Sequence, residues 1–429
     1  MSTALLSPEV PLTELPPLRT LPRPGLGASC IGQEEEDLLL QVVRSKRFFR
    51  YTYELPPAEQ GAMVATLERE FREMMGAKFA LGVTSGTAAL ETALAALGIG
   101  PGDEVIVPAW SWTSCYTSIV RVGARPVLAE IDDTFCLAAS EIPRLVTPRT
   151  KAAMVIHYQG VPADMDPILA EAKKAGIAVI EDCAEATGAI YKGRRIGSMG
   201  DVGIFSFQNQ KMMTSGEGGM VITSDSRLYE RAVRFHDLGM VRDHHRLFVT
   251  PTETEFCGAQ YRMNEMTGAV ALAQLRKLEA SRAKCRAVRA EIHKRIGHLK
   301  GLSFRKIVDP SGDNAFETYF CLSNDSIVKE FTEALRERGV NCAKMTGTYC
   351  HYYKDYCVHR MAHAPLASPF AHETEWPAKG YRKEDFPITE SLVHRFVVLP
   401  TGVLHTPDDG AYIGDTVAAL YERIVLPTL

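Results

Sequence analysis

Apolar residues fall into short runs through the first half of the chain, at Phe79–Val83, Glu104–Val107, Pro126–Glu130, Ala152–His157, Ile177–Glu181, Gly203–Phe207 and Gly219–Thr223. Several runs carry no polar alternation, the pattern of strands covered on both faces in a mainly parallel sheet. Between them, Val64–Met75, Ala88–Leu97 and Asp166–Ala175 space their apolar residues at helical intervals. Strands alternating with helices predict an α/β/α layered domain.

The pattern changes after residue 270. Leu272–Ile296 reads as one long helix linking two domains, its Arg and Lys residues a solvated face. Beyond it, Leu302–Arg305, Thr318–Leu322 and Phe396–Leu399 predict strands, and Ser326–Arg338 and Asp408–Ile424 predict helices, a smaller α+β domain. Six prolines within residues 1–28 predict an extended N-terminal arm. The expected partition is therefore an arm (1–28), a large domain (29–280) and a small C-terminal domain (281–429).

Composition narrows the class. The 429 residues are 46% hydrophobic and 23% charged with a net charge of −4, which excludes a disordered chain and gives no global positive field for nucleic acid or an anionic membrane. No apolar stretch reaches the roughly 18 residues of a membrane span, and no basic segment precedes an apolar leader. Ten cysteines without a CxxC pair suggest reduced thiols and no zinc site, as expected of a cytoplasmic protein.

Three places carry chemistry. Ser85-Gly86-Thr87 joins a strand to a helix, where unpaired N–H groups and the helix dipole suit a phosphate, though most such turns are ordinary caps. Asp182 ends a strand on the edge where open parallel sheets hold ligands, though an isolated Asp there is more often structural. Lys211 follows another strand and precedes the glycine-rich segment 215–219. A lone lysine is usually a surface charge, but the combination matches pyridoxal phosphate. That cofactor needs an amine for its aldehyde, a carboxylate for its ring nitrogen and donors for its phosphate. Trp110 and Trp112 follow a further strand, and at least one of them is expected to pack in the core.

The segments SGTAALETALAALGIGPGDEVIVPAWSWT (85–113), VIEDCAEATGA (179–189), GDVGIFSFQNQKMMTSGEGGMVIT (200–223) and YRMNEMTGAVALAQL (261–275) resemble the sugar aminotransferases of the DegT/StrS family. The resemblance implies fold type I and a pyridoxal 5'-phosphate cofactor. It implies that Lys211 condenses with the cofactor aldehyde and then shuttles a proton, and that Asp182 pairs with the ring nitrogen. Phosphate contacts are implied for Gly86, Thr87 and the Ser206 hydroxyl, and ring stacking for Trp112. Two positions depart from the family pattern. Glu185 replaces the usual Gln or His near the cofactor phenolate, so it must be protonated, turn away or meet the substrate. Gln260 replaces an Asn that reaches the neighbouring subunit's phosphate, in a homodimer with shared sites.

The implied reaction moves an amino group from L-glutamate or L-glutamine to a keto or aldehyde carbon of a sugar or cyclitol, nucleotide-linked or free. Arg50, Tyr51 and Tyr53 and the stretch from Tyr349 to Tyr353 are candidates for the acceptor pocket. A pyridoxal-phosphate sugar dehydratase is the alternative; in the relatives that eliminate water His replaces the lysine, and here Lys211 is present. Retention of Lys211, Asp182 and Ser206 together argues against a non-catalytic regulator.

Overall fold

The computed structural model describes residues 13–52, 62–322, 325–364, 369 and 380–429. A seven-stranded sheet is built from β1 (Phe79–Val83), β2 (Glu104–Pro108), β3 (Arg125–Ala129), β4 (Thr150–Ile156), β5 (Ala178–Asp182), β8 (Val202–Ser206) and β9 (Gly219–Thr223), with a small hairpin β6 (Ile190–Tyr191) and β7 (Arg194–Arg195) between β5 and β8. The strand order is β1-β9-β8-β5-β4-β2-β3. Only β9 runs against its neighbours; β8, β5, β4, β2 and β3 are parallel. Every residue of β2 and β3 is buried, which is why these runs show no alternation. The fold class read from the pattern is the one observed.

Helices α1 (Gln33–Ser45), α2 (Met63–Met75), α3 (Gly86–Ala96) and α4 (Thr113–Arg121) open the chain. The apolar pattern did not announce α4. Its sequence is rich in Ser, Thr and Cys, weak helix formers, and burial of Cys115, Tyr116, Ile119 and Val120 against the sheet holds it. The long helix is longer than expected, Glu265–Ile296, and starts where the Asn264 side chain accepts the Thr267 N–H. Gly268 lets α2 approach it: a Cβ there would stand 2.7 Å from Val64 Cγ2 and 2.9 Å from Val64 N.

This helix passes through both cores. Leu272, Leu275, Leu278 and Cys285 pack with the large sheet, whereas Val288, Ile292 and Ile296 pack with Phe320, Phe331, Val397 and Val417. The second core lies on an antiparallel sheet of β10 (Ser303–Phe304), β11 (Glu317–Cys321), β12 (Ala343–Lys344) and β13 (Phe396–Pro400), ordered β10-β11-β13-β12.

The described part of the N-terminal arm is extended and pinned. Thr13 donates through its N–H (2.7 Å) and Oγ1 (2.8 Å) to Glu422, and Arg19 pairs with Asp409 at 2.6 Å. Leu15 and Leu21 pack on the second core. Where the arm ends, the Gly27 N–H donates to the Lys211 carbonyl at 3.1 Å. The arm therefore anchors the loop on which the candidate lysine sits.

Candidate active site

The ends of β1, β2, β4, β5 and β8 meet at one edge of the large sheet, where an open parallel sheet leaves a crevice. A cavity of about 730 Å³ lies there, lined among others by Gly86, Thr87, Trp112, Asp182, Glu185, Ser206 and Lys211. These seven candidates, spread over more than a hundred residues of chain, share one space. Gln260 does not line this cavity; it is exposed and bridges Asp237.

Asp182 is the last residue of β5 and is buried. Its Oδ1 accepts the Ala184 N–H at 2.9 Å and its Oδ2 the Cys115 thiol at 3.3 Å. Burial pushes its pKa above the ordinary carboxylate value, and these two donors only partly offset that. Its neighbour Glu181 serves the opposite face of the strand. It accepts N–H groups from Gly197, Met199 and Gly200 at 2.6–2.8 Å and pairs with His157 at 3.0 Å, locking the end of β5 in place.

At the end of β8, Ser206 stands against the start of α3. A Cβ on Gly86 would fall 2.7 Å from Ser206 Cβ and 2.9 Å from its Oγ, so only glycine permits this approach. The Ser85 side chain accepts the Ala88 N–H at 3.0 Å, and its carbonyl accepts that of Ala89 at 3.0 Å. The N–H groups of Gly86 and Thr87 stay without an intrahelical partner, beside the Ser206 hydroxyl. Hydroxyl, N–H groups and helix dipole form an anion cradle.

The Lys211 backbone N–H donates to Gln208 O at 2.9 Å, and its Nζ lies 3.5 Å from Glu185 Oε1. Glu185 meets the amine rather than turning away. Its Oε2 accepts the Gln159 N–H at 3.3 Å and its carbonyl the Gly160 N–H at 2.9 Å. Gln159 takes a φ of 48°, a left-handed conformation rare for a side-chain-bearing residue, and the two hydrogen bonds that Glu185 accepts from Gln159 and Gly160 hold the turn.

Trp110 is core, with its ring 4.2 Å from Tyr158 and 5.8 Å from Phe135. Trp112 is 54% exposed at the cavity and tilted against Tyr349 at 5.6 Å.

The acceptor-pocket candidates need correction. Arg50 is buried beneath β1, donating to both Glu68 oxygens (2.6 and 2.7 Å) and to the Gly82 carbonyl (3.1 Å). Tyr51 lies in a buried chain with His245 (2.8 Å) and His236 (3.1 Å). Tyr53 lies outside the described residues. In the second stretch only Tyr349 lines the cavity. His351 is buried between Ser111 (2.8 Å) and Tyr356 (3.0 Å), and the Tyr352 and Tyr353 hydroxyls donate to Glu390. Sequence reasoning missed Cys115, Gln159 and Glu317 altogether. The first sits on an unpredicted helix, the second in an irregular turn, and the third on the other sheet.

The family model for the DegT/DnrJ/EryC1/StrS aminotransferases matches residues 49–418, and the chain belongs to that family. Its members depend on pyridoxal phosphate, and the protein is an enzyme of this aminotransferase class with fold type I architecture. Among solved structures, an aminotransferase from Psychrobacter cryohalolentis is 28% identical, with TM-score 0.75, covering 95% of this chain and 98% of that one. A 3-amino-5-hydroxybenzoic acid synthase is 26% identical, with TM-score 0.74 over 96% and 100%. A GDP-4-keto-6-deoxymannose-3-dehydratase shares the fold at 22% identity, with TM-score 0.74 over 92% and 100%. No helix among the described residues is long and apolar enough to cross a membrane.

Proposed function

We propose that this chain binds pyridoxal 5'-phosphate in the cavity and moves an amino group from L-glutamate or L-glutamine to a keto or aldehyde carbon of a sugar or cyclitol. The observation that carries the reading is the convergence of the Lys211 amine, the Asp182 carboxylate and the Ser206–Gly86 cradle on one cavity. The donor set suits the cofactor. The cradle offers a hydroxyl and free N–H groups to a phosphate, and a buried carboxylate with only a thiol and one N–H as partners suits a protonated ring nitrogen.

Bound there, pyridoxal phosphate supplies an aldehyde that exchanges one amine for another and a ring that accepts electron density. The protein's residues do the rest. Asp182 keeps the ring nitrogen protonated, Trp112 covers one face, and Gly86, Thr87 and Ser206 hold the phosphate. The Lys211 amine would be the group that meets the cofactor aldehyde and, when free, the base and acid within reach of the substrate carbon. Glu185 holds that ammonium in reach. Gln260, exposed and not lining its own cavity, is consistent with the homodimer we infer, in which this loop completes the partner's site.

Borohydride reduction of the yellow holoprotein followed by mass mapping tests the reading. The reduced adduct belongs on Lys211, and Lys211→Ala abolishes turnover. An adduct elsewhere, or loss of water from a keto sugar without amino product, overturns it.

A further inference from the structure

The cavity has a second wall, contributed by the small sheet through Phe316, Glu317, Pro400 and Thr401. Glu317 opens β11 opposite Pro400. Tyr319, two residues on and on the same face, donates its hydroxyl to Glu317 Oε2. Among the described residues no hydrogen bond reaches its Oε1.

The charge balance of the lining is one-sided. Asp182, Glu185, Glu217 and Glu317 all line the cavity, and among the described residues Lys211 is its only Lys or Arg. The nearby Arg305 does not line it. Its guanidinium is stacked against the rings of Phe135 (4.9 Å), Tyr319 (5.5 Å) and Tyr158 (5.6 Å), and donates to the Thr134 carbonyl. Arg262, on the loop expected to reach the partner subunit, is committed to Asp237. Burial pushes Glu317 up to about 7, with the Tyr319 hydroxyl and the Arg305 charge opposing the shift and the negative charge of Glu185 adding to it. Above pH 7, where Glu317 is ionised, a substrate carboxylate brought to this wall meets like charge and, among the described lining residues, no cation but Lys211, whereas a hydroxyl or amide N–H meets an acceptor oxygen.

Taking the amino-transfer reading as given, we propose that Glu317, positioned by Tyr319, sets substrate specificity. It accepts a hydrogen bond from an uncharged donor group and turns away a carboxylate, so that L-glutamine rather than L-glutamate supplies the amine. The two amino acids differ by one terminal group of nearly equal size, which makes them the probe of this wall.

The test is single-turnover kinetics of the holoenzyme with L-glutamine and with L-glutamate, followed by the cofactor's absorbance. At pH 8, with Glu317 ionised, wild type should favour glutamine in kcat/KM by about tenfold or more, since like-charge juxtaposition is strongly penalised. In Glu317→Gln that ratio should fall to within about threefold, chiefly through KM, because the repulsive element is gone. Tyr319→Phe should shift the ratio the same way by a smaller factor. Glutamate matching or exceeding glutamine in wild type overturns the inference, as does an unchanged ratio in the Glu317 variant. If that variant fails to fold, Tyr319→Phe and inhibition of wild type by glutarate against its monoamide decide. Equal inhibition, or an unchanged ratio, overturns the inference. Failure of every amino acid to react with wild type would instead sink the amino-transfer reading.

Discussion

Replacing Gly86 by alanine puts a methyl group into the narrowest part of the anion cradle. The new Cβ falls 2.7 Å from Ser206 Cβ, 2.9 Å from its Oγ and 3.4 Å from its Cα. Ordinary carbon contacts lie at about 3.5–4.0 Å, so the start of α3 and the end of β8 must separate by roughly 1 Å. Rotating the serine gives no relief, because its Cβ is itself the closest atom. Overpacking of this kind costs about 1–3 kcal/mol, against a helix-propensity gain of up to about 1 kcal/mol. A net loss of about 1–2 kcal/mol placed on the loaded state lowers cofactor affinity by about 5- to 30-fold, at 1.4 kcal/mol per factor of ten. Titration of cofactor-free protein with pyridoxal phosphate, read by fluorescence, measures it. Gly100→Ala is the control, since a Cβ there meets nothing closer than Val122 O at 3.7 Å. A Gly86→Ala protein that folds normally and binds as tightly as wild type would refute the cradle.

Asp182→Asn should lower turnover by about a hundredfold or more with the circular dichroism spectrum intact, because the ring loses the partner that keeps its nitrogen protonated; near-wild-type turnover contradicts the role. Glu265 accepts N–H groups from Met63 and Val64 while its buried Oε1 has no partner among the described residues, and burial raises its pKa from 4.5 to about 7. The raised value means its stabilising contribution is complete below pH 4.5 and is lost as pH rises through 7. Glu265→Gln should therefore gain thermal stability over wild type as pH climbs from 5 to 8, and a pH-independent difference in Tm argues against this. Arg50→Leu leaves Glu68 buried without its cation, which should cost about 3–5 kcal/mol in urea unfolding. Cofactor affinity of the folded fraction should stay at the wild-type level, and a selective loss of affinity would return Arg50 to the active site.

Strands buried on both faces were readable because a parallel sheet needs apolar residues at consecutive positions. The run Gly219–Thr223 matches its strand end for end, and Phe79–Val83 likewise. The direction of β9 was not readable, since an apolar run looks the same whichever way it pairs. Arg50 and Tyr51 misled for a physical reason. Polar residues in an aromatic stretch suggest a pocket, yet here they satisfy one another in the interior, Arg50 with Glu68 and Tyr51 with two histidines. His351 repeats the lesson.

The candidates Asp182 and Gly86 were legible because they sit where a strand ends, and strand ends follow from local pattern. Lys211 stood out only in combination with them, and Ser206 through the family resemblance. What meets them from elsewhere was not legible. Cys115 bonded to Asp182, Glu317 in the same cavity as Lys211 and Gly27 on the lysine's backbone arrive from an unpredicted helix, the other sheet and the N-terminal arm. Local periodicity decides which segments become strands and helices, because each buries its own apolar face. Only packing between distant segments decides which charges share a cavity, and so whether its second wall attracts or repels a carboxylate.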